Sequence, residues 1–135
     1  MKPKSLIIFA VFLFTTSLWE QEGQTVKIST DFGEIIVLLY HDTPILYRDN
    51  FSALTRAGNY NDGTLFRSVI SGFMIQGGDF NSIEPSPTQA LGVDNCPKNQ
   101  NEIRRNQFYK KGTLAAARLP VNYNSEQLSS GYQFL

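Results

Sequence analysis

The chain has 135 residues, 41% of them hydrophobic, and its 12 basic side chains are balanced by 12 acidic ones. That length holds one domain at most, and the balanced charge leaves no electrostatic footprint for nucleic acid or an anionic membrane surface. Cys96 is the only cysteine and His41 the only histidine, which excludes an internal disulfide and argues against a metal centre or a catalytic triad.

Lys2 and Lys4 precede an apolar run from Leu6 to Trp19 that is broken only by Thr15, Thr16 and Ser17. The run is shorter than the roughly 18–20 apolar residues a spanning helix needs, and its basic flank suits a secretory signal. Leu18-Trp19-Glu20 offers no small-residue cleavage site. Residues 1–24 therefore read as a signal peptide or an N-terminal membrane anchor, and the product as exported to the periplasm or cell envelope.

Residues 25–135 read as the folded domain. Val26 to Thr30 and Glu34 to Tyr40 are rich in β-branched and large apolar residues, and Asp31-Phe32-Gly33 between them suits a short hairpin turn. Thr43 is a plausible N-cap, with Pro44 at the first helical position. Tyr47, Phe51 and Leu54 then recur at helical spacing, and Gly58 is placed to end that helix. Asp62-Gly63 turns the chain into two short apolar runs. From Asn81 to Gln107 the chain reads as a long irregular connection broken by Pro85, Pro87 and Pro97. Thr113 to Arg118 reads as a strand of small residues, and Tyr132 to Leu135 as the start of another.

The two apolar runs lie in Phe66-Arg67-Ser68-Val69-Ile70-Ser71-Gly72-Phe73-Met74-Ile75-Gln76-Gly77-Gly78-Asp79-Phe80. Locally this is strand, tight turn, strand and loop. As a string it closely resembles the central signature of cyclophilin-type peptidyl-prolyl cis-trans isomerases, whose usual form is Phe-His-Arg-Val-Ile-x-Gly-Phe-Met-x-Gln-Gly-Gly-Asp. Asp31-Phe32-Gly33-Glu34-Ile35, Asn59 through Phe66, Lys110 through Arg118 and Ser129-Ser130-Gly131-Tyr132-Gln133-Phe134 extend the likeness from Val26 to the C-terminus. The resemblance implies a mainly β fold: a cyclophilin-like antiparallel β-barrel, incomplete at the C-terminus, with one clear helix at about 44–57.

In cyclophilins, the resemblance implies, an arginine donates to the imide nitrogen of a twisted X-Pro bond. That position is Ser68 here, and the arginine stands one residue earlier, at Arg67. On a regular strand a shift of one residue sends a side chain to the opposite face, so Arg67 is expected to point away as a solvated charge unless a local bulge re-aims it. The catalytic candidates are Arg67, Ser68 and Gln76, with Gln76 bonding a peptide carbonyl. The substrate-binding candidates are Phe73 and Met74 as pocket floor, Leu135 where the family has Phe, and Ala117 and Gln133 along the groove. Phe73 and Leu135 also fit as plain core residues, and Gln76 as a partner for strand-end backbone groups. No metal or cofactor is implied.

Three readings follow. The first is an exported prolyl isomerase acting on proline-containing peptides or unfolded protein clients, weak or inactive because Ser68 cannot supply a charged donor. The second is a non-catalytic module binding proline-containing segments, and the third a gene fragment without a stable fold.

Overall fold

A computed structural model of the chain describes residues 23–61, 63–92 and 96–135. The expected leader lies almost wholly outside the described residues, as does Asp62. Gln24 already belongs to the first strand. Among the described residues no helix is long and apolar enough to cross a membrane.

Strand β1 (Gln24–Thr30) and strand β2 (Gly33–Leu39) form the expected hairpin, antiparallel, with Val26 opposite Val37 and Ile28 opposite Ile35. Their period-two alternation turns Val26, Ile28, Val37 and Leu39 toward the core. Lys27 and Glu34 lie on the other face and form a surface ion pair of 2.8 Å.

Helix α1 (Ile45–Arg56) follows. Its N-terminus corrects the expected cap: the Thr43 hydroxyl donates to the Tyr40 carbonyl at 2.6 Å instead of accepting from the helix. The free N–H groups of Leu46 and Tyr47 donate instead to Glu102 Oε2, at 2.7 and 3.3 Å. A carboxylate at this end also complements the helix dipole. The C-terminus closes as expected. Gly58, at φ +76°, donates to the Thr55 carbonyl and Asn59 to that of Leu54, both at 3.1 Å, the two bonds of a Schellman motif.

The two apolar runs become strand β3 (Ser68–Ile70) and strand β4 (Met74–Gln76), paired so that Ser68 faces Gln76 and Ile70 faces Met74. The ladder does not stop there. Gly77 exchanges two backbone bonds of 3.0 Å with Phe134, and the far edge of the 133–135 segment bonds Ala115 and Ala117. The expected strands at 113–118 and 132–135 thus shrink to isolated bridges, but those bridges extend the β3–β4 hairpin into a four-segment sheet. The expected irregular connection also carries a short strand, β5 (Lys98–Asn99), which pairs with β6 (Ser129–Ser130). Among the described residues the strands do not close into a barrel.

The core is an aromatic cluster centred on Phe134, which is 6% exposed. Its ring meets Phe51, Tyr60 and Phe66 edge-on at centroid distances of 5.6, 5.7 and 6.1 Å, a geometry aromatic rings favour. Val26, Leu39 and Phe51 complete the buried set. Asn50 and Tyr60 donate to the carbonyls of Gly131 and Tyr132 at 2.5 and 2.8 Å and so tie the C-terminal segment to the rest. Phe134 thereby fixes its two neighbours, Gln133 and Leu135, on the opposite side of the sheet.

Candidate functional site

The register decides what meets on that opposite side. One residue either side of the Gly77–Phe134 bridge, Gln76 lies beside Leu135, and Ala117 donates to the Gln133 carbonyl at 3.0 Å. With a period of two, Ser68, Ile70, Met74, Gln76, Gln133, Leu135, Ala115 and Ala117 share a face. Side chains confirm it, since Gln76 Nε2 donates to Gln133 Oε1 at 3.0 Å.

Arg67 joins the same cluster, which overturns the expectation of a solvated charge on the far face. Its Nη2 donates to Gln133 Oε1 at 3.0 Å, and its Nη1 lies 3.4 Å from Ser68 Oγ. The reason is local: β3 begins only at Ser68, so residues 64–67 are irregular and strand alternation does not govern Arg67. From there the long side chain reaches back over the sheet. Its Nε is buried without a hydrogen-bond partner among the described residues.

Gln133 is 4% exposed, and its carboxamide oxygen accepts from both Arg67 and Gln76. Around that oxygen stand the Gln133 and Gln76 amide NH2 groups and the Arg67 guanidinium, all of them hydrogen-bond donors. The cluster is therefore rich in donors, with one of its members cationic. It suits a ligand that presents carbonyl oxygens.

The apolar candidates are less gathered. Met74 and Leu135 are half-buried on the shared face and Ala117 is buried beside Gln133. Phe73, the last residue of the hairpin turn, is 77% exposed. The structure thus brings Arg67, Ser68, Gln76, Gln133, Ala117 and Leu135 together and leaves Phe73 standing apart. A shallow recess of about 220 Å³ between Val26 and Lys27 of β1 and Ser52 and Thr55 of α1 is unrelated to this cluster. Among the described residues no group of His, Cys, Asp and Glu could hold a metal ion.

Two residues of this neighbourhood gave no functional signal in the sequence. Gly92 packs against the Arg67 guanidinium, and Asp79, 3% exposed, accepts from the Gly92 N–H at 2.5 Å and the Asn81 N–H at 3.0 Å. Nothing in the spacing of Asp79 and Gly92 announces that contact. Behind the sheet, burial raises the phenol of Tyr60 well above its usual range, with smaller contributions from Cys96 and Tyr132, so it stays neutral.

Comparison with known proteins gives this geometry a context. A family model described as cyclophilin type peptidyl-prolyl cis-trans isomerase/CLD matches residues 25–135. Peptidyl-prolyl cis-trans isomerase B of Escherichia coli is 37% identical over 100 residues, covering 74% of this chain and 57% of that protein. An isomerase of Acinetobacter baylyi is 33% identical over 93 residues, covering 69% of this chain and 46% of that one. The Arabidopsis thaliana isomerase CYP18-1 is 32% identical over 108 residues, covering 80% and 65%. The chain therefore spans between about half and two thirds of the length of these relatives. No solved structure matches it.

Proposed function

We propose that this chain, which belongs to the cyclophilin-type peptidyl-prolyl cis-trans isomerase family, binds proline-containing segments across the Ser68–Gln76–Gln133 face and accelerates their isomerisation weakly. The observation that supports this most is the guanidinium of Arg67 beside Gln133 and Gln76.

Rotation about X-Pro is slow because the amide has partial double-bond character, with a barrier near 20 kcal/mol. No nucleophile, metal or redox centre is needed. The site must hold the peptide and favour the twisted amide over the planar one. A cation aimed at the imide nitrogen does so, because that nitrogen gains lone-pair density as resonance is lost. Arg67 is the cation available on this face, and Gln76 and Gln133 supply donors for peptide carbonyls.

Turnover is weak because that cation is committed. Arg67 Nη2 is engaged by Gln133, and the side chain reaches the face from the irregular segment before β3 and not from a strand position on it. Ser68, at the register position facing Gln76, contributes only a short neutral hydroxyl. A charge-assisted hydrogen bond is roughly twice as strong as a neutral one, and loss of a preorganised donor typically costs about 10²-fold in turnover.

The test is the exchange rate at X-Pro in a short peptide with catalytic amounts of the chain. Acceleration that falls in Arg67→Ala and rises in Ser68→Arg supports the reading. A second reading, a binding module without turnover, draws on the neutral Ser68 and the exposed Phe73. Peptide binding with no acceleration would favour it. The expected export to the periplasm or envelope makes secreted and envelope proteins the proposed clients.

A further inference from the structure

We infer that Gly92 is a positioning residue that holds the Arg67 guanidinium against Gln133, with the Asp79 carboxylate as the clasp that fixes Gly92. This rests on the site reading above and extends it to a segment outside the sheet.

The contact is close. A Cβ on Gly92 would stand 2.4 Å from Arg67 Cζ and 2.6 Å from each Nη, so the guanidinium, the far end of a flexible side chain, would have to swing away from its place. Gly92 also has φ +79°, in the left-handed region that side chains avoid. The bare Cα at this position lets the loop lie directly over the guanidinium. Asp79 sets where that loop lies. Its Oδ2 accepts from the Gly92 N–H at 2.5 Å, and its Oδ1 from the Asn81 N–H at 3.0 Å, so one buried carboxylate joins the start and the end of the 80–92 segment.

The consequence is steric and directional. Arg67 starts from an irregular segment, where no strand geometry aims it, and Ser68 gives it only a long contact of 3.4 Å. Gly92 above and Gln133 beside it restrict the guanidinium to one place. Without that cover the side chain has several rotamers open to solvent, and a flexible four-bond stem orders itself only at an entropic cost. Gly92 therefore acts on the site through Arg67.

The test uses the full chain and a cycle of variants. Gly92→Asn tolerates a left-handed backbone yet carries the Cβ that collides with the guanidinium. It is expected to lower Tm, to shift the Arg67 Nε–H and Gln133 side-chain amide signals in NMR spectra, and to reduce peptide exchange about as much as Arg67→Ala does. In the double variant Arg67→Ala/Gly92→Asn, removal of the guanidinium makes room for the Cβ. Its Tm is expected to recover above that of Gly92→Asn, with no further loss of exchange beyond Arg67→Ala. Equal damage by Gly92→Asn with and without Arg67 would overturn the inference, as would unmoved Arg67 and Gln133 signals. If Gly92→Asn does not fold, folding of the double variant supports the contact and its failure to fold refutes it. Absence of turnover in the unmodified chain would count against the proposed function only, since Tm and the NMR signals read the contact independently.

Discussion

Tyr47 carries a polar atom that the fold does not use. Its hydroxyl is buried without a hydrogen-bond partner among the described residues, and burial drives its ionisation far above the ordinary range, with Tyr60 and Tyr109 adding smaller effects. Tyr60 is raised as well, chiefly by burial. A group whose folded-state pKa lies above its unfolded value stabilises the fold fully below the unfolded value, about 10 for tyrosine, and loses that contribution as pH rises beyond it. Tm should therefore be flat with respect to these groups up to about pH 9 and fall steeply at higher pH. Tyr47→Phe should flatten that fall and raise neutral-pH stability by about 1 kcal/mol, because an unsatisfied buried hydroxyl is removed. An unchanged alkaline slope in thermal melts of Tyr47→Phe would contradict the assignment. At this scale the sequence indicates the residue types of the candidate cluster but not their directions. Gln76 and Gln133 could be aligned from motifs, whereas the path of Arg67 depends on where β3 starts and on a glycine in a distant loop.

Elements were readable to the extent that side-chain periodicity determines them. The β1–β2 hairpin and α1 rest on alternating and helical apolar spacing, and both stand within a residue or two of expectation. The β5–β6 pair is two residues long on each side and held by backbone bonds, so it leaves no pattern to read. The same holds for the bridges that carry Phe134 between Gly77 and Ala116. The cap of α1 was misplaced for a related reason, because Glu102 lies 56 positions from the Leu46 N–H it satisfies. That carboxylate takes the role a neighbouring side chain usually has. Glu102→Ala should cost about 1 kcal/mol, the usual worth of a helix cap. Chemical denaturation would measure it, and a change within error would show that water serves the helix end equally well.

At the scale of the molecule, the aromatic core around Phe134 coexists with apolar side chains left open to solvent. On β2 Ile36 is 62% exposed and Leu38 44%, and on β3 Val69 is 70% and Ile70 50%. Single exposed apolar residues are ordinary, but several on each of two short strands add apolar surface that can associate or bind hydrophobic probes. The chain is expected to enhance the fluorescence of such a probe and to show concentration-dependent association in light scattering, while keeping the near-UV circular dichroism of packed aromatic rings. A monomer at all concentrations without probe binding would contradict this. Loss of the near-UV signal alongside strong probe binding would instead mark a chain that does not pack its core.

The central claim is that a guanidinium reaching the sheet from Arg67 supplies the charged donor that Ser68 cannot. It is tested most directly by exchange spectroscopy on an Ala-Pro peptide, comparing the chain with Arg67→Ala and Ser68→Arg. The account predicts measurable acceleration by the chain, a loss of about tenfold or more in Arg67→Ala and a gain in Ser68→Arg. Acceleration that survives Arg67→Ala undiminished would contradict it.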